Sequence, residues 1–169
     1  MLKLIRCEFF KLKRKKFIPL VIVSAFMFPI PLTYLMTTPS MMERYTDKAD
    51  AFDGLFNMVL GYGIQFLLPC IIGILAAILF FMERDNDTFK NLRTIPVTST
   101  KMVVAKILLL FLFGIIFCVA STIVTILCGF RALEVYGIGY KLFLAVETGI
   151  LITAGTLPLI ALVVFFSKT

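Results

Sequence analysis

The chain has 169 residues, of which 60% are hydrophobic and only 16% charged, with a mean hydropathy of +1.02. A soluble domain of this size keeps about a quarter of its residues charged to cover its surface, so lipid must be the solvent for much of this one. The net charge of +7 does not point to nucleic acid, because no folded soluble module remains to present it.

Seven of the seventeen Lys and Arg residues fall in the first sixteen positions: Lys3, Arg6, Lys11, Lys13, Arg14, Lys15 and Lys16. Such a cluster ahead of an apolar stretch marks a cytoplasmic flank in contact with anionic lipid head groups. Within it Leu2, Ile5, Phe9 and Leu12 recur at helical spacing, with basic residues on the other sides. The pattern predicts an amphipathic helix lying in the inner interface over residues 1–16. The competing reading is an irregular basic tail that only sets topology.

Four stretches are long enough to cross a bilayer, and the expected spans lie near 17–36, 58–81, 104–128 and 144–166. The first apolar run is too long for the core of a signal peptide, and no small-residue cleavage site follows it. With the N-terminus inside, the cytoplasmic pieces hold the seven residues above, then Arg84, Lys90, Arg93, Lys101 and Lys106, then Lys168. The outer pieces hold only Arg44, Lys48, Arg131 and Lys141. This asymmetry predicts a multi-pass protein with a cytoplasmic N-terminus and a single transmembrane domain over 1–169. The outer segment Thr37 to Asp53, with Glu43, Asp47, Asp50 and Asp53, reads as a solvated connection.

The cytoplasmic segment 83–101 carries the functional argument. Asn86 or Asp87 is a suitable helix cap, and Pro96 sets a stop. About two helical turns fit between them, with Phe89, Leu92 and Ile95 on one side and Lys90 and Arg93 displaced from that stripe. A short amphipathic helix parallel to the membrane can present a compact knob to a cytoplasmic partner.

The pattern Glu83-x4-Thr88-x3-Leu92-x3-Pro96-Val97, following a second span, resembles the cytoplasmic loop of ABC-2-type exporter permeases. The opening Glu8-Phe-Phe-Lys11-Leu-Lys13-Arg14 resembles the same family's N-terminal interfacial helix, and the chain with both motifs resembles the permeases of lantibiotic-immunity and bacitracin-export transporters. The resemblance implies an all-α membrane protein of about four transmembrane helices, with the interfacial helix and a short cytoplasmic coupling helix. It also implies an ABC ATPase subunit as partner, coupled through Glu83, Thr88, Leu92, Pro96 and Val97; Phe89 and Arg93 join this set from the helix faces. Further implied partners are a second permease copy or paralogue, membrane lipids, and an antimicrobial peptide or lipophilic substrate, in a bacterial cell membrane. The family often has Gly where Asp87 stands. It has about six spans, whereas this chain ends just past the fourth, which implies a truncated product or fragment; a natural four-span protein is the alternative.

No GxxxxGK[ST] phosphate loop occurs, so ATP hydrolysis is expected in a separate subunit and the chain is not expected to be an enzyme. There is no histidine, which excludes Ser-His-Asp and Cys-His arrangements. Cys7, Cys70, Cys118 and Cys128 form no CxxC pair and read as packing residues, so no metal or cofactor is expected. Glu147 is the one carboxylate inside an expected span, where burial at the bilayer centre would cost roughly 2.5–3.5 kcal/mol. Its position six residues past Lys141 favours an interfacial placement over a substrate or helix contact. Gln65, Ser121, Thr122 and Thr125 either line a polar path or bond to helix backbone. Gly73-x3-Ala77 and Ala145-x3-Gly149 permit close helix packing. An ATPase-independent immunity or scaffold protein that binds a peptide is the competing function.

Overall fold

The computed structural model describes the backbone of residues 6, 9, 10, 12, 17–85 and 99–166, and the side chains of those first four together with 19–80 and 100–162. Every regular element among the described residues is helical, and four helices are long and apolar enough to cross a membrane.

The first crossing is broken in its middle. Helix α1 (Phe17–Phe26) gives way at Met27 and Phe28 to α2 (Pro29–Met36). Pro29 and Pro31 have no amide hydrogen to donate back to Ala25 and Met27, so the regular ladder cannot continue through them. The Met27 amide turns instead to the Ser24 carbonyl at 3.2 Å, and the Thr33 hydroxyl donates to the Pro29 carbonyl at 2.7 Å. A short turn, α3 (Pro39–Met42), follows.

The helix that carries the second crossing begins well before residue 58. Helix α4 (Lys48–Met58) runs through a π-helical stretch (Val59–Ile64) into α5 (Gln65–Asp85). The stretch Lys48–Phe80, charged only at Lys48, Asp50 and Asp53, has 33 residues. At 1.5 Å per residue that is about 50 Å, against a hydrocarbon core of about 30 Å, so its first turns stand beyond the apolar layer. Those turns are helical because Ala51, Phe52, Leu55 and Phe56 form one buried stripe while Asp50 and Asn57 stay exposed. The π stretch and Pro69 are the two interruptions of this helix.

The third crossing is α6 (Ser99–Gly129), uninterrupted over 31 residues, and the fourth is α7 (Ile138–Phe166), with Pro158 inside it. Helix α6 is the hub of the bundle: α1, α2, α4, α5 and α7 all pack on it, and α7 also packs on α5. The α6–α7 seam brings backbones together. A Cβ added at Gly149 would lie 3.2 Å from the Gly114 carbonyl oxygen and 3.3 Å from the Ile115 Cα and the Cys118 Sγ. A Cβ at Gly114 would run into the Thr153 hydroxyl, and Ala145 is fully buried one turn away. Gly73 is different, since a Cβ there would meet only Leu159 at 3.9 Å, an ordinary contact.

Near the N-terminus, the half-buried Phe9 stacks on Phe113 of α6, with ring centroids 6.1 Å apart and planes inclined by 15°; Leu12 is buried. Arg6 lies over the Phe10 ring at 5.7 Å. Leu2, Ile5 and the basic run 13–16 lie outside the described residues.

Candidate functional site

Alternating crossings place the end of α5 and the start of α6 at one end of the bundle and residues 37–53 and 130–137 at the other. Among the described residues, each end holds one buried lysine against an aromatic ring or rings.

At the first of these ends, Glu83 belongs to the last turns of α5, and its side chain lies outside the described residues. Thr88, Phe89, Leu92, Arg93, Pro96 and Val97 also lie outside them. The base of this segment is described. Lys106 of α6 is buried, donates to the Leu79 carbonyl of α5 at 2.9 Å, and lies 4.7 Å from the centroid of the Phe80 ring. An ammonium tolerates this depth because its methylene stem packs on apolar neighbours while the head is hydrogen-bonded and faces a π-cloud. The contact ties the end of one crossing to the start of the next.

Gln65 follows the π stretch and is exposed, and Glu147 on α7 is exposed as well. Both stand on the perimeter of the bundle. Ser121, Thr122 and Thr125 are buried in α6, as are Thr153 and Thr156 in α7. Most of these hydroxyls bond to their own helix: Thr125 donates to the Ser121 carbonyl at 2.9 Å, Thr153 to Gly149 at 2.7 Å, and Thr156 to Thr153 at 2.7 Å. The Thr122 hydroxyl is buried with no partner among the described residues.

The opposite end holds a cluster that local sequence patterns did not reveal. Asp53 projects from α4, Tyr136 from the 130–137 connection, and Lys141 from the first turn of α7. The Lys141 ammonium pairs with Asp53 Oδ1 at 2.5 Å, and the Tyr136 hydroxyl donates to Asp53 Oδ2. Three rings enclose the same ammonium: Tyr136 at 4.4 Å, Phe52 at 5.1 Å and Phe56 at 5.4 Å from their centroids. Phe52 is wedged by Gly129, where an added Cβ would lie 2.6 Å from the ring. The turn into α7 uses Gly137 at φ +63°, a left-handed conformation that L side chains rarely adopt. The hydrogen bond to Asp53 holds the Tyr136 hydroxyl above its ordinary pKa, with Asp50 contributing in the same sense through its charge. The signal missed in the sequence was the buried stripe of α4, which carries Asp53 at its edge.

No group of His, Cys, Asp and Glu among the described residues is placed to hold a metal ion. What the chain offers instead is a bundle with a clasp at each end and a tight glycine seam between.

The family model described as "ABC-2 family transporter protein" matches residues 4–169. No curated protein and no solved structure matches the chain.

Proposed function

The chain belongs to the ABC-2 transporter family and is a multi-pass membrane permease of an ABC transporter, and on that premise we propose that it works as an exporter subunit driven through its 83–101 segment. In this reading the segment lies in the cytoplasm, the N-terminus is cytoplasmic, and residues 37–53 and 130–137 face outward. Glu83, Thr88, Phe89, Leu92, Arg93, Pro96 and Val97 form the surface that the separate ATPase subunit pushes. A second copy or a paralogue completes the permease pair. The cargo is an antimicrobial peptide or a lipophilic compound, as in lantibiotic-immunity and bacitracin-export permeases, and the membrane is a bacterial plasma membrane.

The observation that supports coupling through this segment is the contact at its base. Lys106 holds the last turns of α5 to the first turns of α6, so a displacement between them reaches both crossings. Because α6 is the helix on which the others pack, motion entering there is shared by the bundle. Gln65 and Glu147, exposed on the perimeter, are in this reading polar contacts for cargo or for the second permease copy.

The test is co-purification. Phe89→Asp combined with Leu92→Asp should release the ATPase subunit from the permease while leaving the permease in the membrane. Unchanged co-purification would refute the coupling surface. Peptide resistance conferred by this chain in cells without any partner ATPase would favour instead the ATPase-independent binding protein.

A further inference from the structure

The end of the bundle opposite the Lys106 contact carries a structure that coupling through the 83–101 segment does not use. The Lys141 side chain is almost wholly buried, as are Phe52 and Phe56 beside its ammonium, but the other two walls are open: the Asp53 side chain is 40% exposed and Tyr136 46% exposed. Three ring faces and one carboxylate converge on a single positive head group, the composition that selects organic ammonium ions. The charge around this box is set by residues from each element that forms it: Asp50 and Asp53 from α4, Tyr136 from the connection, and Lys141 from α7. Lys141 is the one cation among them.

The occupant is also held in a way that lets it withdraw. Lys141 sits on the first turn of α7, its amide bonded to the Gly137 carbonyl at 3.0 Å, and reaches the box through four methylenes. Beside its ammonium is Gly137, where an added Cβ would still be 4.0 Å from Nζ, so no side chain roofs the head group there. We propose that the box of Phe52, Phe56, Tyr136 and Asp53 is an ammonium-binding site plugged by Lys141, and that an organic ammonium ion competes for it and releases the lysine. The plug is part of the same chain and so acts at a high effective concentration, which makes the competing ion a weak ligand, in the millimolar range. Release of Lys141 also undoes the tie between α4 and α7. The proposal goes beyond the transport reading and stands apart from it, because the box is defined by side chains alone.

The decisive measurement is Lys141 acetylation in the full chain, purified in detergent, read by peptide mass spectrometry with exposed Lys101 as internal reference. Tetramethylammonium chloride should raise Lys141 acetylation several-fold relative to Lys101, and sodium chloride at equal ionic strength should not. A second arm uses Lys141→Ala, which vacates the box. n-Butylammonium should raise its unfolding midpoint saturably, whereas 1-butanol, of the same length without the charge, should not. Acetylation that tetramethylammonium leaves unchanged, or that sodium raises equally, overturns the proposal whatever the rescue shows. The same holds if butanol rescues as well as butylammonium, since the box would then be an apolar filler site. Neither measurement depends on an ATPase or on which end faces outward.

Discussion

The α6–α7 seam and the first crossing are both strongly apolar, yet they do opposite things. The third crossing is the most buried of the four, and the first is mostly exposed. The seam places Gly114, Cys118, Ala145, Gly149 and Thr153 where backbones nearly touch. The first crossing turns Leu20, Val23, Met27, Ile30, Tyr34 and Leu35 outward and breaks at Pro29. In lipid, hydropathy cannot separate inside from outside, because tails are as apolar as leucine; close packing does, and small residues permit it. Small residues therefore mark where two backbones of this protein come closest, and polarity does not.

The largest expected effect comes from filling the seam. Gly149→Leu and Gly114→Leu each force a side chain into backbone and side-chain atoms that have nowhere to go, and overpacking of this kind costs about 1–3 kcal/mol or more. Thermal unfolding in detergent should show a clear drop in midpoint for both. Gly61→Ala is the control, since an added Cβ there meets nothing within 4 Å. A seam variant as stable as the control would remove the distinction between the two regions.

The next effect asks whether a charged clasp matters as much as close packing. Asp53→Asn leaves the Lys141 ammonium buried without its carboxylate. Removing one partner of a fully buried pair costs about 3–5 kcal/mol, and the exposure of Asp53 reduces that to about 1–2 kcal/mol here. Lys141→Met in the Asp53→Asn background should recover part of the loss, because the unpaired charge is gone. An additive double variant would mean that the two side chains are not coupled.

How much of this was legible in the sequence follows from the same contrast. The four crossings were readable because each contains a long run free of charge, and their ends are set by Lys, Arg, Asp and Glu. The extension of the second helix back to Lys48 was not, because Asp47, Lys48, Asp50 and Asp53 read locally as a solvated connection. What makes those residues helical is tertiary: Phe52 and Phe56 pack inward, and Asp53 finds its cation 88 positions later. Ala145-x3-Gly149 was visible as a packing pattern, but its counterpart Gly114 was not, since a lone glycine in an apolar helix carries no sign of what lies opposite. The coupling residues from Thr88 to Val97 rest on the motif and on the helix faces.

A smaller change is expected on the outer face of the first crossing. Val23→Ala removes two methyl groups from a side chain that is 68% exposed, and such substitutions fall within about 0.5 kcal/mol. The unfolding midpoint in detergent should be indistinguishable from that of the parent. A loss comparable to that of Gly149→Leu would show that this face is covered, and that the first crossing belongs to the interior of an assembly.

The last effect concerns a proton. Tyr136 keeps its hydroxyl proton to higher pH than an ordinary tyrosine because that proton is bonded to Asp53, and Asp50 adds its negative charge. The sign follows from linkage: the folded-state pKa lies above the unfolded one. The stabilisation is thus fully present below the unfolded value, about 10, and is lost as pH rises through the raised folded value. An ultraviolet difference titration of tyrosinate, with Tyr136→Phe to assign the signal, should show Tyr136 ionising late in the parent and shifted back toward the ordinary range by Asp53→Asn. Folded seam variants should leave it where it was, because the seam acts through packing and the clasp through charge. If Gly114→Ala moved the Tyr136 titration as far as Asp53→Asn does, the seam and the clasp would be one cooperative unit.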